Sequence, residues 1–253
     1  MQRQSSSPTL AALRAEVQRL EAGNHPAYGV LPFGLPAVDA RIPTGGLVRG
    51  ALHEVAGGAV GALHGAAAAL FAAGIASRTK GKVLWCFTRA DLFAPALAQA
   101  GLHADRVIYV EAGDEKSVLT SFEEGLRHRG LGAVVAEVAK LTMTASRRLQ
   151  LAAEETGALG IAIRRWRRQT EAADFGQPTA AVTRWRVTAL PSSPLPVAGV
   201  GRARWLVELI RARAGDCADF ELEACDEQGR LALPAELADR SVPVEAGQSR
   251  AAG

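Results

Sequence analysis

The chain has 253 residues, 48% of them hydrophobic, and a formal net charge of +3. That composition is ample for one large domain with a buried core, and it excludes a chain disordered throughout. The sequence pI near 9.0 permits an acidic partner such as nucleic acid without demanding one. Cys86, Cys217 and Cys225 form no C-x-x-C pair, are odd in number and have no histidine cluster around them, so neither a zinc site nor a disulfide framework is indicated. A reducing cytoplasm fits.

The first residues, "MQRQSSSPTLAALRAEV", lack the apolar run of a signal peptide. Within residues 1–28, Ser7 is placed to cap a helix, Pro8 suits its first position and Gly23 stops it. Leu10, Leu13, Val17 and Leu20 share one face of this amphipathic segment, which needs a partner in the core or on another molecule. A loop rich in proline and glycine leads to the strand "ALHEVAG". From there strands and helices alternate: helix over 63–77, strand "KVLWCF", helix "APALAQAG", strand "RVIYVEA", helix "EKSVLTSFEEGLRHRG", strand "GAVVAEV", helix "TASRRLQLAAEETG" and strand "LGIAIRRW". Runs such as "VLWCF" and "AVVAEV" are apolar throughout, as in a parallel sheet covered on both faces. Residues 55–77 carry no charge and are long enough to span a membrane. They are mostly alanine and glycine, include His64 and begin inside a strand-turn pattern, so no membrane span is expected.

Beyond residue 166 the helices stop. "TRWRVTAL", "RWLVELIRAR" and the hairpin-like "DFELEACDEQGRLALP" read as antiparallel strands added to the sheet edge. The last stretch, 238–253, has no periodicity and is expected to be disordered. The domain organisation is therefore a head with an amphipathic helix over 1–28, a core over 29–237 and a tail over 238–253.

The order of segments over about residues 29–235 resembles the RecA family of recombination ATPases. The resemblance rests on Val38, Asp39, Gly45, Gly46, Glu54 and Gly57 in the approach to the first loop, on the acidic strands around "VIYVEAGDE" and "AVVAEV", and on the closing hairpin. It implies a RecA-like α/β core: a mostly parallel central sheet, helices on both faces and a C-terminal antiparallel extension.

A working phosphate loop reads G-x-x-x-x-G-K-(S/T), with a lysine on the β/γ-phosphates and a hydroxyl on magnesium. Counted from Gly57, the second glycine falls on Ala62, the lysine on Leu63 and the hydroxyl on His64, while Gly58 and Gly61 lie inside the loop. The acidic residue expected after "WCFTR" falls on Ala90, with Asp91 beside it. Glu137 stands where the family carries its magnesium carboxylate, and it can equally cap a turn or pair with Lys140. The degenerate nucleotide site is thus Gly57, Gly58, Gly61, Leu63, His64 and Glu137. No catalytic residue, metal site or cofactor is expected, although backbone N–H groups could still bind ATP and magnesium weakly.

The second half is similar to the ImuA family, accessory factors of mutagenic translesion synthesis related at the fold level to the cell-division inhibitor SulA. The resemblance is carried by 164–166 ("RRW"), 183–187 ("TRWRV"), 191–196, 199–205 and 211–215. It implies action in the SOS response with ImuB, a catalytically inactive relative of Y-family polymerases, and with a C-family error-prone polymerase. Single-stranded DNA and RecA are further candidate partners.

The residues argue separately for an anion-binding surface. Arg164, Arg165, Arg167 and Arg168 flank Trp166 where RecA-like proteins open a DNA-facing loop, and Arg184 and Arg186 follow. Arginine forks grip phosphate and a tryptophan face stacks on bases. The same arginines could instead dock an acidic ImuB surface, and the tryptophans could belong to the core. Few residues separate "AVVAEV" from the next helix, so a first DNA-binding loop of the recombinase type is missing. Two further readings stay open: a DNA-stimulated ATPase whose lysine is supplied by Lys80 or Lys82, and a SulA-like division inhibitor. "QGRLAL", 228–233, has the outline of a sliding-clamp peptide but is explained by a hairpin. His53-Glu54 lacks the second histidine of a metalloprotease helix.

Overall fold

The structure, a computed structural model, describes residues 28–166, 172–192, 195 and 197–234. The amphipathic segment and the tail expected from sequence therefore lie outside the described residues, as do Arg167 and Arg168. The described chain forms an eight-stranded sheet and a small two-stranded one. In chain order the elements are β1 (Val30–Leu31), α1 (Pro36–Asp39), β2 (Leu47–Val48), β3 (Leu52–Gly57), α2 (Ala62–Ser77), β4 (Lys82–Phe87), α3 (Ala94–Gln99) and β5 (Val107–Glu111). There follow α4 (Glu115–Arg127), β6 (Leu131–Val138), α5 (Met143–Thr156), β7 (Leu159–Arg164), β8 (Thr183–Leu190), β9 (Arg204–Ala212) and β10 (Ala218–Glu223).

The large sheet runs β10-β9-β8-β3-β7-β6-β4-β5. All its neighbours from β8 to β5 pair in parallel, and β9 and β10 complete it antiparallel. One expectation is corrected here: "TRWRVTAL" is β8, and it runs parallel to β3, with Glu54 opposite Arg184. The texture misleads because apolar alternation marks a strand without fixing its direction, which here is set by pairing with β3.

Each face of the sheet has its own core. On one side α2 packs Phe71 and Ile75 with Phe33, Trp85, Trp185 and Trp205. α2 is alanine-rich, which favours helix and lets it lie close to the sheet. On the other side α4 and α5 bring Val118, Phe122, Leu126 and Leu149 against Leu52, Val134 and Ala162. Full burial of such side chains stabilises by about 1.5–3 kcal/mol each. Asp114 caps α4 by accepting from the Ser117 N–H, Thr142 caps α5 by accepting from that of Ala145, and Gly157 closes α5 in the left-handed region.

Alternation along β3 divides its side chains between the two cores. His53 faces the α2 side and is 1% exposed. Its Nε2–H donates to Val48 O at 2.9 Å, and its Nδ1 accepts from the Thr183 hydroxyl at 2.7 Å. Burial holds its pKa down at about 4, against the opposing effect of the Val48 bond, so it stays neutral and fastens β2 to β3.

Candidate functional site

The first loop sits where a phosphate loop belongs, between the carboxyl end of β3 and the start of α2. Gly57 ends β3 beside His64, and the Gly58 N–H donates to Val187 O at 2.9 Å. A β-carbon on Gly58 would fall 1.8 Å from the Thr188 hydroxyl, so only glycine lets the loop pass β8 this closely. Gly61 precedes α2 at φ 130°, a conformation that favours glycine. The bond from Gly65 N–H to Gly61 O at 3.1 Å starts the helical ladder, and the N–H groups before it face out of the helix end. Leu63, in the first turn of α2, stands there 66% exposed. No cation replaces the lysine from the candidates named: Lys82 opens β4 at the opposite, amino end of the sheet with Lys80 just before it, and Lys82 donates to Asp105 O.

The carboxylates of this edge are occupied by the protein itself. Glu137, at the carboxyl end of β6 and 7% exposed, accepts from Trp85 Nε1 at 3.0 Å and from Arg165 Nη1 at 2.6 Å. Arg165 also grips Asp91 with both nitrogens, at 2.8 and 3.1 Å. Burial works against the Arg165 charge, but Asp91 and Glu137 outweigh it and hold its pKa above that of an ordinary arginine. The hydrogen bond from Arg165 holds Asp91 below the usual carboxylate range. A guanidinium therefore occupies the carboxylate that the sequence resemblance assigned to magnesium. The donor set does not fit the metal: both Glu137 oxygens are bonded, Ala90 offers no carboxylate, and no group of three or more histidine, cysteine or acidic side chains suited to a metal occurs among the described residues.

Arg164 points to the other face and has a different role. It is 1% exposed and donates to Glu54 Oε2 at 3.0 Å and to Ala139 O at 2.9 Å. Arg184, 5% exposed, reaches Glu54 Oε1 at 3.4 Å, donates to Gln177 O and Phe175 O, and lies 4.5 Å over the Phe175 ring. The Thr179 hydroxyl donates to the same carboxylate. Glu54 itself is fully buried. These two arginines, expected on an anion-binding surface, are instead internal, because a carboxylate buried in β3 requires cations beside it. Sequence carried a usable sign of this: Glu54, beside His53, puts a carboxylate into a central strand whose other residues are apolar or glycine.

The remaining members of the set differ again. Trp166 is partly exposed and meets Phe175 edge-on at 5.5 Å. Arg186 faces outward and pairs with Glu208 at 2.6 Å. The hairpin "QGRLAL" turns at Gly229 and buries Leu231 in the α2-side core, which accounts for its pattern without a clamp. No helix among the described residues is long and apolar enough to cross a membrane.

Comparison with known proteins supplies the relationship. No family model matches the chain. The crystal structure of the RadB recombinase is similar in fold, with a TM-score of 0.56 at 16% identity, covering 81% of this chain and 100% of that one. Protein ImuA of two Caulobacter vibrioides strains is 40% identical over 244 residues, covering 90% of this chain and 99% of the relative. On that likeness, which spans both the degenerate loop and the arginine-tryptophan segments, the chain belongs to the ImuA family.

Proposed function

We infer that this protein is a RecA-like adaptor of the ImuA type in the DNA damage response, working without nucleotide hydrolysis. Family membership and the RecA-like fold support the general role. The finer reading is action in SOS-induced mutagenic translesion synthesis through ImuB and a C-family error-prone polymerase, with single-stranded DNA or RecA as further partners.

The observation that carries the non-catalytic part is the charge arrangement at the carboxyl edge. The lysine position is an exposed leucine, and the carboxylate that would hold magnesium is bonded to Trp85 and Arg165. A phosphoryl-transfer site needs a cation on the phosphates and a carboxylate free to hold the metal. What the scaffold retains is contact surface. Of the segment read as its anion-binding element, Arg165, Trp166, Arg167, Arg168 and Arg186 remain in the proposal, and Arg164 and Arg184 leave it.

The test is complementation of damage-induced mutagenesis in cells lacking the gene. Leu63→Ala and Glu137→Gln proteins should restore mutagenesis, and a variant with Arg165, Arg167, Arg168 and Arg186 changed to alanine should not. Mutagenesis abolished by Leu63→Ala or Glu137→Gln in stably folded protein would overturn the reading.

A further inference from the structure

The two edges of the eight-stranded sheet are built differently. β10, at one edge, carries Asp219, Glu221 and Glu223 at alternate positions, and Glu221 pairs with Arg204 on β9. Its end is also covered, since the Glu223 N–H donates to Ala232 O at 2.8 Å. Charge and cover of this kind keep a sheet edge from pairing with another chain. β5, at the other edge, pairs with β4 alone among the described residues, without a register shift. It holds no proline or lysine, and its one charge is Glu111 at the last position.

The open side of β5 follows from one bond. The Ala112 N–H donates to Phe87 O on β4 at 2.8 Å, so by alternation Ile108 and Val110 also turn their backbone groups to β4. Val107, Tyr109 and Glu111 turn theirs outward. The Val107 N–H closes the turn over Ala104–Arg106 by donating to Ala104 O, which leaves Val107 C=O and both groups of Tyr109 and Glu111 open. The side chains are apolar on both faces. Ile108 is 47% exposed on the side where Val110 packs on the α4 core, and Tyr109 is 37% exposed beside Phe87 on the α2 side.

Such an edge recognises an extended strand, and β5 is its own complement. Set antiparallel against a second β5 with Tyr109 opposite Tyr109, it forms a bond in each direction at the centre. Each Glu111 N–H then meets the Val107 C=O of the other copy. Ile108 faces Val110 twice on one face, the tyrosine rings adjoin on the other, and the two Glu111 carboxylates lie at opposite ends of the pair. Centring on Ile108 would set Glu111 against Asp105, and centring on Val110 would lose both Ile108–Val110 pairs.

We propose that β5 is a two-fold interface through which two copies of this chain join their sheets, with Tyr109 at the axis. This interface is independent of the nucleotide edge and of DNA binding.

Sedimentation of the full chain over micromolar concentrations tests it, and the wild type should form a concentration-dependent dimer. Ile108→Lys, at an exposed position, should weaken association by about tenfold or more, because both apolar cross-strand pairs are lost and lysine guards an edge. Cross-linking keeps the test decisive should that variant fail to fold. With the exposed native thiol removed by Cys217→Ser, Tyr109→Cys should link to its own copy on mild oxidation, since paired α-carbons about 5.5 Å apart suit a disulfide. Ile108→Cys should not. A wild type that stays monomeric would overturn the proposal, as would a dimer indifferent to Ile108→Lys. Cross-linking through Ile108→Cys in place of Tyr109→Cys would overturn the Tyr109-centred pairing and the proposal with it.

Discussion

Arg164 and Arg165 are neighbours in sequence and belong to two different regions of the molecule. Arg164 enters the cluster around Glu54, where both side chains are fully buried. Arg165 enters the cluster around Glu137 and Asp91, where its side chain is 32% exposed. Strand alternation sends them to opposite faces, and burial then assigns their tasks. The first region is a sealed fastening between β3, β7, β8 and the loop 175–179. The second is an open edge on which the protein supplies its own cation. A basic run in a sequence is therefore not one surface, and half of it can be internal structure.

The sealed region should respond most. Glu54→Gln takes the carboxylate from between Arg164 and Arg184, and breaking such a buried pair costs about 3–5 kcal/mol. Chemical denaturation measures this directly, and a loss below 1 kcal/mol would show that the cluster is not the fastening described.

His53 on the same strand gives a pH signature. Its folded pKa of about 4 lies below the ordinary 6.5, so the unfolded chain takes up the proton first. Its contribution is complete above pH 6.5 and is lost as pH falls toward 4, by about 3 kcal/mol in all. Denaturation of wild type and His53→Gln across that window should show a shallower pH dependence in the variant.

At the open edge, Arg165→Ala should cost less, about 1–3 kcal/mol, because Glu137 keeps its bond to Trp85 and Asp91 returns to solvent. Trp85 emission should shift, since the carboxylate on its indole loses its counter-ion. The smallest effect is expected from Leu63→Lys: the side chain is exposed, so stability should change by less than about 0.5 kcal/mol. This variant should remain without phosphate release while Arg165 occupies Glu137, and hydrolysis restored by the one substitution would show the edge to be open after all.

Much of this arrangement was legible in the sequence, for identifiable reasons. The strand "KVLWCF" matches β4 residue for residue, and the other parallel strands fall within one or two residues of their expected places, because apolar runs between capped helices mark them strongly. Three features were not legible in local composition. The direction of β8 is set by its pairing with β3, which leaves no periodic mark in the sequence. The burial of Arg164 and Arg184 depends on Glu54, more than a hundred positions away in sequence, so the arginine-rich stretch itself does not show it and the only sign is that carboxylate in the central strand. The link between Arg165, Asp91 and Glu137 was hidden similarly, since three separate strand ends supply it.

The central claim is that the Arg165 guanidinium on Glu137 and an exposed leucine leave this edge unable to carry phosphoryl transfer. The most direct measurement is phosphate release from ATP by the purified full chain with magnesium, with and without single-stranded DNA. Release indistinguishable from the protein-free control under both conditions is expected. DNA-stimulated, magnesium-dependent release that disappears in Glu137→Gln would contradict it.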